Sequence, residues 1–453
     1  MEARQTIHLT RIKDQPITYE RREAAWPKRH RVRSTANGCT DGWKHCRRSA
    51  GWGETGVRRL ALTKEDKEGV LLVKSWMEEA GLQTRIDAFG NLIGRLEGAD
   101  PAAPVLMLGS HIDSQPYGGR FDGAIGVLGA LEAVQTLIED GVMPGMAVEV
   151  AAFCDEEGCR FNKGLFGVRG LTGRLEEGEL DRADADGITR RQALEAFGCT
   201  PDPEAFAASQ YPAASVAAYL ELHIEQGPVL EALEQPVGIV TGIAGPLWLT
   251  VELTGFAGHA GSVPMLLRQD ALVGTAKIIA GLNALAGEEP GAPTVGTVGS
   301  LNVFPNSRNI IPERVSFTVD LRDIDLERRE AIELRLRRLI DETAQAHGLT
   351  VTIREDTNSE PRYCAPWIKA LLREQGRAMG LEAPELMSGP FHDALAMSYF
   401  CDYGMIFVRS RKGISHNPEE YSSPEDIALG AQLLYRAARR IIESRKEERL
   451  CAT

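Results

Sequence analysis

Gly109-Ser110-His111-Ile112-Asp113 sets an imidazole and a carboxylate two residues apart, and eleven residues after the histidine comes Asp122-Gly123. Asp155-Glu156-Glu157-Gly158 adds a carboxylate pair further along. Each group stands beside glycine and behind an apolar run that reads as a strand, so the polar side chains collect at strand ends. Imidazole nitrogen together with carboxylate oxygen suits borderline divalent ions such as zinc, manganese or cobalt. One carboxylate can bridge two such ions roughly 3.5–4 Å apart, and another can take the proton of the attacking water. Asp122 is the candidate bridge because Gly123 permits a tight strand-to-helix turn, although a helix N-cap is the alternative use of an aspartate there. Glu156 and Glu157 divide naturally into one base and one ligand, unless the run is an exposed acidic turn. Asp113 shares a strand end with His111 and can point the same way. It is placed either to fix the imidazole tautomer from behind or to stand as a solvated loop acid.

Six histidines lie beyond residue 50, and five occur in short polar or glycine-flanked motifs: His111, His223, His259, His392 and His416. His347, near a helix end, is the exception. Any one of the five alone reads as a hydrogen-bonded structural histidine; together with the acids they favour a metal site.

The elements that must position these residues follow from periodicity. Thr63 followed by Asp66 is a capping pair ahead of Val70, Leu71, Val73, Trp76 and Met77, which predicts an amphipathic helix ended by Gly81. Asn91–Leu96, Val105–Leu108 and Val148–Phe153 read as strands, and Ile125, Leu128, Leu131, Val134 and Ile138 line one face of a helix. This alternation predicts an α/β fold with a mixed central sheet flanked by helices, its binding residues at the carboxyl ends of strands. A different rhythm follows Pro236-Val237-Gly238: strands at Leu249–Leu253 and Val315–Asp320, helices over 265–285 and 326–346. The expected division is a basic extension over 1–50, a catalytic domain in two parts, 51–241 and 357–453, and an inserted α+β lid over 242–356. A helix over 424–444 closes the chain.

Composition narrows the function. The 453 residues exceed one ordinary core, and a net charge of -13 disfavours phosphate-tracking surfaces, so a small-molecule substrate is expected and nucleic acid is not. No run of eighteen apolar residues occurs and the amino terminus lacks the apolar stretch of a signal peptide, which predicts a soluble, cytoplasmic protein without membrane attachment. Eight cysteines without a C-x-x-C pair read as reduced thiols. Residues 1–50 stand apart, with twelve Lys or Arg against five Asp or Glu and no sustained periodicity. They read as a disordered extension or a misassigned start region, with a basic recognition tail as the alternative.

At its motifs the chain resembles the M20-type amidohydrolases, specifically the branch of N-carbamoyl-L-amino-acid hydrolase, β-ureidopropionase and allantoate amidohydrolase. The resemblance spans roughly residues 52 to 446 and is carried by GSHIDSQPYGGRFDG, DEEGCRF, ELHIEQGP, GHAGSVPMLLRQDA, FPNSRNIIPERVSFTVDLRD, SGPFHDA and MIFVRSRKGISHNPEEYSSPED. It implies two divalent ions per subunit (zinc, manganese or cobalt), one held by His111, Asp122 and His223, the other by Asp122, Glu157 and His416, with Glu156 as general base. It further implies a homodimer whose lid residues His259, Asn309 and Arg322 act in trans, His259 on the developing oxyanion and the other two on the substrate carboxylate. A planar guanidinium fork helped by an amide suits a carboxylate, although an arginine on an apolar strand also serves as a structural ion-pair partner. Gln226, Ser388 and Gly389 are further substrate-cleft candidates, and His392 a supporting residue. Phe391 departs from the branch, where Gly or Ala is commoner before His-Asp, as do Val168 and Gly170 where Ser-Arg-Ala is usual.

The implied reaction is hydrolysis of the carbamoyl C–N bond of an N-carbamoyl-L-amino acid or β-ureido acid, giving amino acid, ammonia and CO2. Allantoate amidohydrolase is the nearest alternative, a catalytically silent amino-acid-binding dimer the alternative of another class. An aminopeptidase or deacylase is disfavoured by His223 standing where many relatives have an acid.

Overall fold

A computed structural model describes residues 51, 52 and 55–452, the stretch 445–452 by backbone alone. The basic segment 1–50 lies outside the described residues. Besides a two-stranded pair of Gly51–Trp52 with Gly56–Val57, two large sheets organise the described residues.

The larger sheet has nine strands. At its centre Asp402–Val408, Val216–Ile224, Val105–His111 and Val148–Phe153 run side by side and parallel. Antiparallel strands continue it on both sides, Val237–Ile243 against Asp402–Val408 and Leu92–Leu96 against Val148–Phe153. The parallel strands are almost wholly apolar and buried, as strands covered by helices on both faces must be. Because they are parallel, their carboxyl ends lie along one edge, and His111, the Asp155–Gly158 turn and His223 all come off that edge.

The first helix spans Lys64–Glu79, with the Thr63 hydroxyl accepting from the Asp66 N–H and the Asp66 carboxylate accepting from Leu62 N–H. The helix Ala124–Glu139 packs on the parallel strands so closely that only glycine fits at 126, where a Cβ would come within 2.4 Å of the Leu222 carbonyl oxygen. This contact ties the helix to the strand that carries His223.

The chain leaves the larger sheet at Ile243, and Gly245 begins a separate five-stranded sheet whose last strand ends at Asn358. All of its pairings are antiparallel. Leu247, Leu249, Val251 and Leu253 alternate with outward residues, as do Val315, Phe317, Val319 and Leu321, and the inward set packs on the helices Ala271–Ala286 and Leu326–His347. The first of these helices starts later than the apolar pattern predicts. Met265–Leu267 forms a short 3-10 turn and Asp270 caps the true start by accepting from Leu272 N–H and Val273 N–H. The closing helix runs from Pro424 to Ala452, and residues 445–452, past the expected end at 444, include good helix formers and no Gly or Pro. No helix among the described residues is long and apolar enough to cross a membrane.

Gly126→Val forces the helix off the strands and should lower stability by about 1–3 kcal/mol. Urea unfolding followed by circular dichroism measures it; an unchanged midpoint would contradict the close approach.

Candidate metal centre

Asp122 is the hub. Its Oδ1 lies 3.2 Å from His223 Nε2 and 3.8 Å from His111 Nε2, while its Oδ2 lies 3.2 Å from His416 Nε2. His416 Nε2 in turn stands 3.7 Å from Glu157 Oε2, and Glu156 Oε2 is 3.7 Å from His111 Nε2. Two donor triplets therefore share one carboxylate: His111, Asp122 and His223 on one side, Asp122, Glu157 and His416 on the other, the donor atoms in each within 4.8 Å of one another. The aspartate does not cap the following helix; Gly123 occupies that position, with φ of 63° and the His111 ring where its Cβ would be.

The histidines are held for ligation. His111 Nδ1 is 3.0 Å from the Asp113 backbone oxygen and His223 Nδ1 is 3.0 Å from the Ile224 oxygen. A carbonyl only accepts, so Nδ1 carries the hydrogen and Nε2 faces Asp122. Asp113 thus sets the tautomer through its backbone, and its carboxylate does a different job, accepting from the N–H groups of Glu156 and Glu157 at 3.2 Å each. That pins the acidic turn beneath the histidine.

Charge argues for cations here. Asp113, Asp122, Glu156, Glu221, Asp393 and Glu420 are all buried within this region. Burial, followed by the carboxylates of Asp393 and Glu157, pushes Glu156 well above the ordinary range, and burial with Asp122 pushes Glu157 up to about 8. Burial drives His111 down to about 4. Burial also opposes protonation of His223, but its hydrogen bond to Asp122 prevails and raises it to about 9; the same aspartate raises His416 to about 9. Asp122 thus draws positive charge onto whatever faces it, and a divalent ion on each side supplies that charge without protonating the ligands. The donor set fits such ions.

The remaining expected residues fall into three places. Gln226 joins the hub, its Nε2 donating to Asp122 Oδ2 at 3.0 Å and to Ser415 Oγ at 3.1 Å. His392 stacks edge-on to His223, ring centroids 4.3 Å apart, and its Nε2 lies 2.7 Å from the Ser388 hydroxyl. Arg322 reaches the loop beside it, donating from Nη1 to the Gly389 oxygen of the same chain at 2.7 Å, while Nε and Nη2 grip Asp320. Each of its three nitrogens thus makes one bond within the chain, which leaves one N–H on each Nη. His259 and Asn309 are exposed and neighbour each other, with Ala260 N–H donating to the Asn309 oxygen at 2.9 Å.

Three positioning residues escaped the sequence reading. Gln115 clamps Glu157 through its backbone N–H and its Nε2. Glu420 accepts from the N–H groups of Phe121 and Asp122 and from the Ser415 hydroxyl, so one carboxylate ties the hub's backbone to the loop of His416. Arg190, fully buried, donates to Asp155 at 2.8 Å and to the Lys163 oxygen at 2.9 Å, holding the acidic turn from the far side. Gln115 and Glu420 lie inside the polar motifs, where nothing in the type or spacing separates a clamp from a solvated neighbour. Arg190 lies in none.

Residues 107–440 match the family described as peptidase family M20/M25/M40. The chain belongs to this family. Among its relatives, an N-carbamoyl-L-amino-acid amidohydrolase of Pseudomonas sp. (strain NS671) is 47% identical over 382 residues, 84% of this chain and 92% of that protein. An allantoate deiminase of Arabidopsis thaliana is 35% identical, covering 84% of this chain and 78% of that protein. A solved amidase of the hydantoinase/carbamoylase family from Burkholderia multivorans superposes with a TM-score of 0.83 at 35% identity, covering 89% of this chain and 97% of that one. The matched M20 segment takes in both donor triplets.

Glu420→Ala should weaken retention of divalent ions by the purified protein, since the turn of Asp122 and the His416 loop lose their common anchor. Elemental analysis after dialysis tests this; metal content equal to the wild type would rule the tie unimportant.

Proposed function

We propose that this chain hydrolyses the carbamoyl C–N bond of N-carbamoyl-L-amino acids or β-ureido acids, releasing the amino acid, ammonia and CO2. The near full-length 47% identity to an N-carbamoyl-L-amino-acid amidohydrolase carries the substrate class. The geometry around Asp122 supports the chemistry. Two divalent ions, held by His111, Asp122 and His223 and by Asp122, Glu157 and His416, would polarise the ureido carbonyl and make water acidic enough to react near neutral pH. Zinc, manganese and cobalt all suit these donors.

Glu156, on the rim of the hub, takes the proton of the attacking water. It returns that proton to the amino-acid nitrogen as the C–N bond breaks, and the released carbamate falls to ammonia and CO2. His259 donates to the oxygen that gains charge, Asn309 and Arg322 hold the carboxylate, and Gln226 lines the reacting end. The 388–389 backbone forms the opposite wall. Asp113 and His392 support the ligands from behind.

The exposure of His259 and Asn309 supports a homodimer in which they serve the partner's site, whereas the bond of Arg322 to Gly389 of its own chain favours that arginine serving its own subunit instead of the expected partner. Met265, Leu266 and Leu267 lie close by in sequence and are 71%, 98% and 74% exposed, an apolar surface that a second copy would cover. We read the whole as an inserted lid and dimerisation unit over 242–356 on a two-part catalytic domain. A cytoplasmic setting suits the five free cysteines described.

Glu156→Gln should abolish turnover of N-carbamoyl-methionine while the bound metal is kept; surviving turnover would remove Glu156 as the base. Parallel assays with N-carbamoyl-β-alanine and allantoate decide the substrate. The 35% identity to an allantoate deiminase favours that second reading, and exclusive turnover of allantoate would establish it over ours.

Mixing chains that carry Glu156→Gln with chains that carry His259→Ala, each inactive alone, should restore roughly a quarter of the wild-type rate, because half the dimers are mixed and each has one intact site. No recovery would place His259 in its own subunit's site.

A further inference from the structure

Arg322 is bordered by two aromatic rings that the reaction itself does not require. The outward face of the smaller sheet carries Trp248, Asp320 and Arg322, and the strand register sets Trp248 directly opposite Asp320. The Arg322 guanidinium carbon lies 5.8 Å from the Trp248 ring centre and 5.6 Å from that of Phe391, and the two rings are 6.4 Å apart, tilted by 44°. Trp248 is 36% exposed and Phe391 half-buried, so ring surface is left accessible beside the guanidinium. Phe391 precedes His392, whose ring packs on the metal-ligand candidate His223. A fixed cation with flat apolar walls thus stands one residue from the support of the hub.

We propose that Trp248 and Phe391 are specificity-determining residues that select substrates bearing a large apolar or aromatic side chain next to the carboxylate. The inference rests on the carbamoyl-amino-acid reading above. A carboxylate directed to Arg322 brings the α-carbon substituent alongside the rings, where a benzyl or thioether group covers apolar surface and a hydrogen atom leaves it wet. Asp320 and the Gly389 oxygen each take N–H groups of the guanidinium, one from each of its three nitrogens, and hold it still, so the rings keep a fixed relation to it while one N–H on each Nη is left for a carboxylate.

The test uses the full-length protein loaded with Mn2+ and compares kcat/KM for the N-carbamoyl derivatives of phenylalanine, methionine and glycine. We expect the phenylalanine and methionine derivatives to exceed the glycine derivative by at least about tenfold, the scale on which apolar pockets discriminate. Phe391→Ala should shrink the phenylalanine-to-glycine ratio by roughly tenfold through a raised KM. Trp248→Leu, at the exposed rim and outside any core, should shrink it as well and covers the case in which the Phe391 variant does not fold. Similar kcat/KM across the three substrates, or an unchanged ratio in a folded variant, overturns the inference and leaves the carbamoyl reading intact. Hydrolysis of none of the three overturns both.

Discussion

A single buried carboxylate must offer its two oxygens to opposite sides, and the rest of the structure answers to that demand. Asp122 faces His223 and His111 with one oxygen and His416 with the other, at distances that leave room for a cation on each side. Its neighbours are themselves acidic and buried, so the site is short of positive charge until ions arrive. Folding such a cluster without them is costly, because buried carboxylates without partners are driven to take up protons. Ions bound at such a hub would stabilise the fold as well as serve the chemistry.

The polypeptide meets the demand by fixing backbone more than side chains. Asp155, Gln226 and His416 all adopt positive φ, a conformation that non-glycine residues reach only under local strain. Gln226 and His416 turn there to aim their side chains at Asp122, and Asp155 turns its carboxylate away to Arg190 at the start of the acidic turn. Hydrogen bonds keep them there: Asp113 under the acidic turn, Arg190 behind it, and Glu420 across the turn of Asp122 and the His416 loop. The strain is local, and the parallel strands with their close-packed helix at Gly126 supply the rigid base.

The smaller sheet contributes by its period of two. Its inward residues build a core with two helices, and the same alternation leaves Trp248, Asp320 and Arg322 on the other face, turned toward the 389–391 loop of the larger unit. The face that carries Arg322 and the hydrophobic core are thus two sides of one pattern. His259 and Asn309, on connecting segments, escape that constraint and stay exposed.

Much of this was legible in the residues. The α/β class, the strand ending at Phe153, the core of the strand that runs on to His111, and the helix after Gly123 follow from apolar periodicity, and histidines among carboxylates follow the chemistry of metal donors; the division of His111, Asp122, Glu157, His223 and His416 into two ligand sets came from the family resemblance. Local patterns determine such things because strand and helix repeats are short and metal donors are few. The tertiary structure alone decided that Asp113 acts on His111 through its carbonyl and on the acidic turn through its carboxylate, that Gln115, Glu420 and Arg190 are clamps, and that Arg322 is held by Asp320 and Gly389 between two rings. Those contacts join positions up to 299 residues apart. Their partners are ordinary polar groups whose meaning depends on distance in space, which no spacing along the chain encodes.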